Sequence, residues 1–148
     1  MATGTFALTW QKLLSTGQAG IAWNANTSMK AALMLSTYTT VVNRYHTNAF
    51  WGDVSTYMCT GTTAQALPVT LAASLVTSAA KIYLSCGANV SYASVPTAQA
   101  CTSVMIYRDS TVAGTSELIA NLEFTQFTTN GQNVTVNFGT GGIASFAY

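Results

Sequence analysis

Val104-Met105-Ile106-Tyr107-Arg108-Asp109, then Glu117-Leu118-Ile119-Ala120-Asn121-Leu122-Glu123-Phe124, then Asn130-Gly131, then Asn133-Val134-Thr135-Val136-Asn137-Phe138: this stretch decides the fold class. Successive side chains of a strand point to opposite faces, so a half-buried strand reads as apolar and polar residues in alternation. Val104 and Ile106 share one face, and Met105 and Tyr107 the other. Leu118, Ala120, Leu122 and Phe124 alternate with Glu117, Ile119, Asn121 and Glu123, which predicts a strand with one partly wet face. Val134, Val136 and Phe138 alternate with Asn133, Thr135 and Asn137, the cleanest half-buried pattern in the chain. Turn residues separate these runs: Asp109-Ser110-Thr111 and Ala113-Gly114-Thr115, then Asn130-Gly131, then Gly139-Thr140-Gly141-Gly142 before a closing strand from Ile143 to Tyr148. Asn-Gly is a strong hairpin signal because both residues tolerate positive φ. The expectation is an antiparallel meander of at least four strands.

Upstream, Met29, Ala31, Leu33 and Leu35 alternate with Lys30, Ala32 and Met34, as in a mainly buried strand. Ile82, Leu84 and Cys86 alternate with Tyr83 and Ser85. Pro68 interrupts Ala66 to Leu71, so that piece is expected at a sheet edge or a loop entry. Ala72 to Ala80 fits helix or strand. Helix signals are sparse: Leu8, Trp10, Leu13 and Leu14 line one face of a short helix ending at Gly17, and Thr47 or Asn48 is placed to cap a single turn through Phe50, Trp51 and Val54. Many short strands with regular turns predict one domain over residues 1–148, mainly β, an antiparallel sandwich or barrel-like domain with one short N-terminal helix.

Composition narrows the function classes. The chain has 148 residues, 49% hydrophobic and 6% charged, with a net charge of +1; about 25% charged is usual. The polar residues are mostly Thr, Ser, Asn and Gln. The cations Lys12, Lys30, Arg44, Lys81 and Arg108 are scattered, so they form no cluster for nucleic-acid phosphates or for a charged membrane surface. Mean hydropathy is +0.32, yet no apolar run approaches the roughly 20 residues of a membrane span. Met1 to Thr5 has neither the basic start nor the apolar run of a secretion signal, which predicts a product made in the cytoplasm. A near-neutral chain has little self-repulsion, which suits packing side by side in an assembly. A secreted module kept soluble by hydroxyls and amides fits the composition equally well.

Catalytic chemistry finds few candidates. Cys59, Cys86 and Cys101 are odd in number and lack metal-site spacing, so neither a disulfide framework nor a zinc site is expected; Cys86 reads as a buried small hydrophobe, with a Cys86–Cys101 bridge as the alternative. His46 is the single histidine. A Cys59–His46–Asp53 nucleophile set exists on paper without a matching motif. Glu117 and Glu123 would lie about 20 Å apart along a strand, too far for a glycosidase pair. No catalytic, metal or cofactor site is expected. Tyr38, Tyr45, Tyr57, Tyr92 and Tyr148 offer either a carbohydrate-stacking platform or interface tyrosines.

The ordered set of motifs carries a resemblance. A helix through Leu13-Leu14 is followed by Ser28-Met29-Lys30-Ala31-Ala32-Leu33-Met34-Leu35-Ser36-Thr37-Tyr38-Thr39, Phe50-Trp51-Gly52-Asp53-Val54 and Thr60-Gly61-Thr62-Thr63-Ala64. After these come Val104 to Asp109, Glu117-Leu118-Ile119-Ala120 and a last hairpin through Gly141-Gly142-Ile143. This order, over roughly residues 8 to 146, resembles small virion structural proteins of tailed bacteriophages. It departs from them at Thr62-Thr63-Ala64-Gln65, which lacks glycines, and between Cys86 and Cys101, where an acidic, Trp-containing segment is replaced. The resemblance implies a virion role with no catalytic residue to carry over. The resulting expectation is a capsid decoration or cement protein in the virion, a symmetric homo-oligomer bound to the major capsid protein or other virion proteins, with no nucleic-acid or membrane partner. Phe50, Trp51, Tyr57, Asn89, Tyr92, Val95 and Pro96 are the expected contact residues. The alternative is a glycan-binding module on a tail or head fibre.

Overall fold

The computed structural model describes residues 3–5, 29–41, 47–67, 72–76, 81–85, 89–138 and 144–147; for the strands at 3–5, 72–76, 81–85 and 144–147 the description is of backbone pairing. Among the described residues ten strands form: β1 (Thr3–Thr5), β2 (Met29–Leu35), β3 (Gln65–Ala66), β4 (Ala72–Val76), β5 (Lys81–Ser85), β6 (Val90–Tyr92), β7 (Ala100–Arg108), β8 (Leu118–Thr128), β9 (Val134–Val136) and β10 (Ala144–Ala147). The described helices are one α-helical turn, α1 (Trp51–Val54), and three 3-10 turns at Ser36–Thr40, Ser55–Tyr57 and Ala113–Thr115. The expected N-terminal helix lies outside the described residues.

Every pairing is antiparallel. The main sheet has five strands in the order β1-β8-β7-β2-β3; a second has the order β10-β5-β4, and a third pairs β6 with β9. The main sheet is open, ending at β1 and β3, so the barrel-like alternative gives way to a layered, sandwich-like arrangement. β3 is an edge strand that stops before Pro68, as a residue without a backbone donor requires. The ambiguous stretch at 72–76 is strand.

The meander expectation fails after β8. β7 and β8 do pair, through the loop carrying Asp109 to Glu117. Beyond Asn130-Gly131, however, β9 pairs with β6 rather than with β8, and β10 pairs with β5. Gly131 has the positive φ of 87° that a tight turn needs, but the turn redirects the chain into another layer. Local turn chemistry fixed the bend, and distant strands chose the partners.

Two hydrophobic clusters lie on opposite faces of the main sheet. The first gathers Met29, Ala31, Leu33, Val104, Ile106, Ile119, Ala120 and Leu122 with Val90, Tyr92 and Val95 from above, and Val134, Val136 and Phe138 pack against it. The second gathers Ala32, Met34, Met105, Tyr107 and Leu118 with Tyr38 and Val54. The alternation in β2 and β7 is therefore real, with both faces buried. In β8 a bulge breaks it: Ile106 pairs with Ala120 and Tyr107 with Leu118, leaving Ile119 as an extra residue. Leu118 thus faces the second cluster while Ile119 and Ala120 both serve the first. The partly wet face expected for this strand is covered as far as Leu122, since Glu117, Ile119 and Asn121 are all buried.

Candidate partner interface

The expected contact residues separate onto two sides of the main sheet. Trp51 and Tyr57 pack against the second cluster, and Phe50 leads into their turn. Asp53 builds their turn: its carboxylate Oδ2 accepts from the backbone N–H of Ala49 at 3.0 Å and of Phe50 at 2.9 Å, in place of the cap expected from Thr47 or Asn48. The N–H of Trp51 donates to the Ser116 carbonyl at 2.7 Å, and the N–H of Leu118 to the Ala49 carbonyl at 3.0 Å, so the turn is docked on the start of β8. With the turn fixed, the Trp51 indole stacks on Tyr107 with centroids 4.5 Å apart and planes 3° from parallel, and Tyr57 tilts against Tyr38 at 5.6 Å. Phe50, Trp51 and Tyr57 are half-buried, each with an inner part packed and an outer part in solvent. Burial, and then Asp109 nearby, push the Tyr107 hydroxyl up to about 12.

The segment from Asn89 to Gln99 covers the other face. Asn89 and Pro96 are exposed, whereas Tyr92 is 1% and Val95 0% exposed. Tyr92 and Val95 are therefore corrected from contact residues to core residues: β6 alternates, with Val90 and Tyr92 in the first cluster, and Val95 joins them from the loop beyond it. Burial pushes the Tyr92 hydroxyl well above the usual tyrosine range. The loop is tied on every side. Val95 N–H donates to the Gln132 carbonyl at 3.1 Å, Ala98 N–H to the Thr129 carbonyl at 2.8 Å, and Ser94 N–H to Asn133 Oδ1 at 2.9 Å. The Thr129 hydroxyl donates to the Pro96 carbonyl. Within this net Ser94 and Ala98 hold left-handed backbone conformations, with φ of 47° and 64°.

Of the tyrosines expected to form a stacking platform, Tyr38 and Tyr92 are buried, and Tyr45 and Tyr148 lie outside the described residues. A shallow cleft of about 110 Å³ lined by Gly61, Thr62, Thr63, Gln65, Tyr92 and Ala93 is well below the roughly 300 Å³ at which small-molecule pockets begin. Cys59 is buried in the first cluster while Asp53 holds its turn on the other face, and His46 lies outside the described residues; no nucleophile set is assembled among those described. No group of three metal-ligating side chains gathers among the described residues, and none of their helices is long and apolar enough to cross a membrane.

The charges are the part of the site that sequence reading missed. Lys30 Nζ lies 2.6 Å from Asp109 Oδ2, and Arg108 Nη2 lies 3.0 Å from Glu117 Oε2. Lys30 stands opposite Tyr107 in the ladder, which brings it to the end of β7 beside Asp109. Lys30, and then the Thr111 N–H, hold the Asp109 carboxyl below the usual carboxylate range. Asp53 serves its turn, and Glu123 Oε1 accepts from Asn121 Nδ2 at 3.4 Å. Every described charged side chain is thus engaged within the chain. The only large hydrophobic side chain exposed among the described residues is Val112. The other exposed described residues are mostly Thr, Ser, Asn, Gln, Gly and Ala, and the Phe50, Trp51 and Tyr57 rings are among the half-buried ones.

No protein-family model, curated protein or solved structure matches this chain.

Proposed function

We propose that this chain is a structural protein of a tailed-bacteriophage virion, a decoration or cement protein that lies on the outside of the head lattice and stabilises it. The observation that carries this reading is that the charged side chains among the described residues are engaged within the chain, Lys30 with Asp109 and Arg108 with Glu117 as ion pairs. A described surface rich in hydroxyls and amides with half-buried aromatic edges offers few free ions to hold a partner. It suits extended contact with neighbouring copies and with the major capsid protein, where many weak contacts are multiplied by symmetry. The motif order through Met29–Leu35, Phe50-Trp51 and Val104–Asp109 points the same way. The outward rings of the aromatic turn and the exposed Asn89 and Pro96 are the contact residues of this reading. The glycan-binding alternative loses support, because the rings of Tyr38 and Tyr92 are buried, that of Trp51 is already stacked on Tyr107 and that of Tyr57 leans against Tyr38.

The test is binding to empty capsids at low and high salt, together with the copy number in purified particles. Contacts with few ions are little screened, so binding is expected to persist at high salt, with occupancy on the order of tens to hundreds of copies set by lattice symmetry. Binding that disappears at high salt, or a handful of copies at one vertex, would remove the decoration role.

A further inference from the structure

We propose that Cys59 and Cys101 are a cross-linking site: the two thiols join as an intramolecular disulfide that staples the segment after the aromatic turn to β7. This inference rests on the placement of the sulfurs and not on the virion reading. The residues are 42 positions apart, yet their Sγ atoms lie 2.6 Å from each other, both as free thiols and both fully buried in the first cluster.

The main chain holds them there. The Cys59 N–H donates to the Leu33 carbonyl at 2.9 Å, and Met58 bridges to Met34. One residue on, the Gln99 carboxamide grips both sides of Thr60: Oε1 accepts from the Thr60 N–H at 2.6 Å, and Nε2 donates to the Thr60 carbonyl at 2.9 Å. Cys101 sits in β7 opposite Leu35 and Phe127. Both attachment points are fixed before any bond forms, so closing the bond orders almost nothing new.

The chemistry is thiol–disulfide exchange with a low-molecular-weight disulfide such as oxidised glutathione. The Cys59 thiol hydrogen-bonds to Cys101, which lowers Cys101 and raises Cys59; burial raises Cys59 further. During folding, before the first cluster closes over it, Cys101 as thiolate attacks one glutathione sulfur and expels the other as glutathione thiolate. Cys59 then loses its proton and displaces the second glutathione from the mixed disulfide. Two protein thiols are oxidised, one glutathione disulfide is reduced to two glutathione molecules, and the two protons end on those leaving thiolates. A reducing cytosol keeps the pair open, and an oxidising exterior closes it.

The test uses the full chain with Cys86→Ala, so that only Cys59 and Cys101 remain. The protein is unfolded, refolded in a glutathione redox buffer, alkylated and weighed. The expected result is a monomer with no alkyl group, lighter by two hydrogens than the reduced form. Digestion after Arg44, Lys81 and Arg108 should give residues 45–81 linked to 82–108, and thermal unfolding should rise by several degrees over the reduced form. Alkylation of both cysteines, or a bond between two chains, would overturn the proposal. Should Cys86→Ala not fold, wild-type protein is cut additionally after Tyr92, which separates Cys86 from Cys101. A Cys59–Cys101 link then supports the site, and a link through Cys86 or none removes it.

Discussion

The two faces of the main sheet are covered in different ways. The first is covered by strand: Leu33, Val104, Ile106, Ile119 and Leu122 meet Val90, Tyr92, Val134 and Val136 of a second, two-stranded layer, with Val95 from the loop beyond β6. The second is covered by short helical turns: Trp51 of α1 rests on Tyr107, and Tyr57 of the following 3-10 turn rests on Tyr38 of the turn after β2. Strands packed layer on layer interlock and close off water. A short turn docked by main-chain hydrogen bonds leaves its rings half in solvent. The first face holds the domain together, and the second leaves apolar edges available to neighbours.

The sharpest way to break this contrast is truncation in each cluster. Leu33→Ala and Ile106→Ala should each cost about 2–5 kcal/mol in denaturant unfolding, because fully buried side chains leave cavities that close only in part. Trp51→Ala should cost less, about 2 kcal/mol, since only part of the ring is packed; a loss as large as that of Leu33→Ala would make the faces equivalent. Asp53→Ala should cost about 1 kcal/mol through the lost caps on Ala49 and Phe50, and it should weaken capsid binding by loosening the aromatic turn. The smallest effect concerns pH. The folded state depresses the Asp109 carboxyl, so its contribution is fully present above the ordinary aspartate range and is lost as pH falls through the lower, folded value. Being partly exposed, the Lys30–Asp109 pair contributes less than about 1 kcal/mol. Lys30→Met should flatten that part of the acid limb in a series of melting temperatures against pH.

Much of the fold was legible because burial imposes period two on strands. β2, β7 and β9 stand where alternation placed them, and β10 at Ala144–Ala147 falls inside the expected closing strand. What escaped was long-range. Nothing near Val134 says that its partner is Tyr92 rather than a residue of β8. The extra residue at Ile119 reverses the facing of everything before it, and a bulge has no clear mark in one sequence. For the site, the aromatic turn was readable from Phe50, Trp51 and Val54, though sequence puts its cap at Thr47 or Asn48 rather than Asp53, and Tyr92 and Val95 could be separated from Asn89 and Pro96 only by knowing which side of β6 and its loop faces inward. The pairing of Lys30 with Asp109 and the approach of Cys59 to Cys101 both arise from tertiary placement, beyond the reach of spacing rules.

The loop from Ser94 to Gln99 carries a further consequence. Two residues without glycine's freedom, Ser94 and Ala98, sit at left-handed angles and are kept there by bonds to Asn133 and Thr129. That conformational cost is met during folding. A molecule that touches Pro96 therefore encounters a rim whose shape is already set, and little freedom remains to be surrendered on association, so even a shallow contact there forfeits little affinity to ordering.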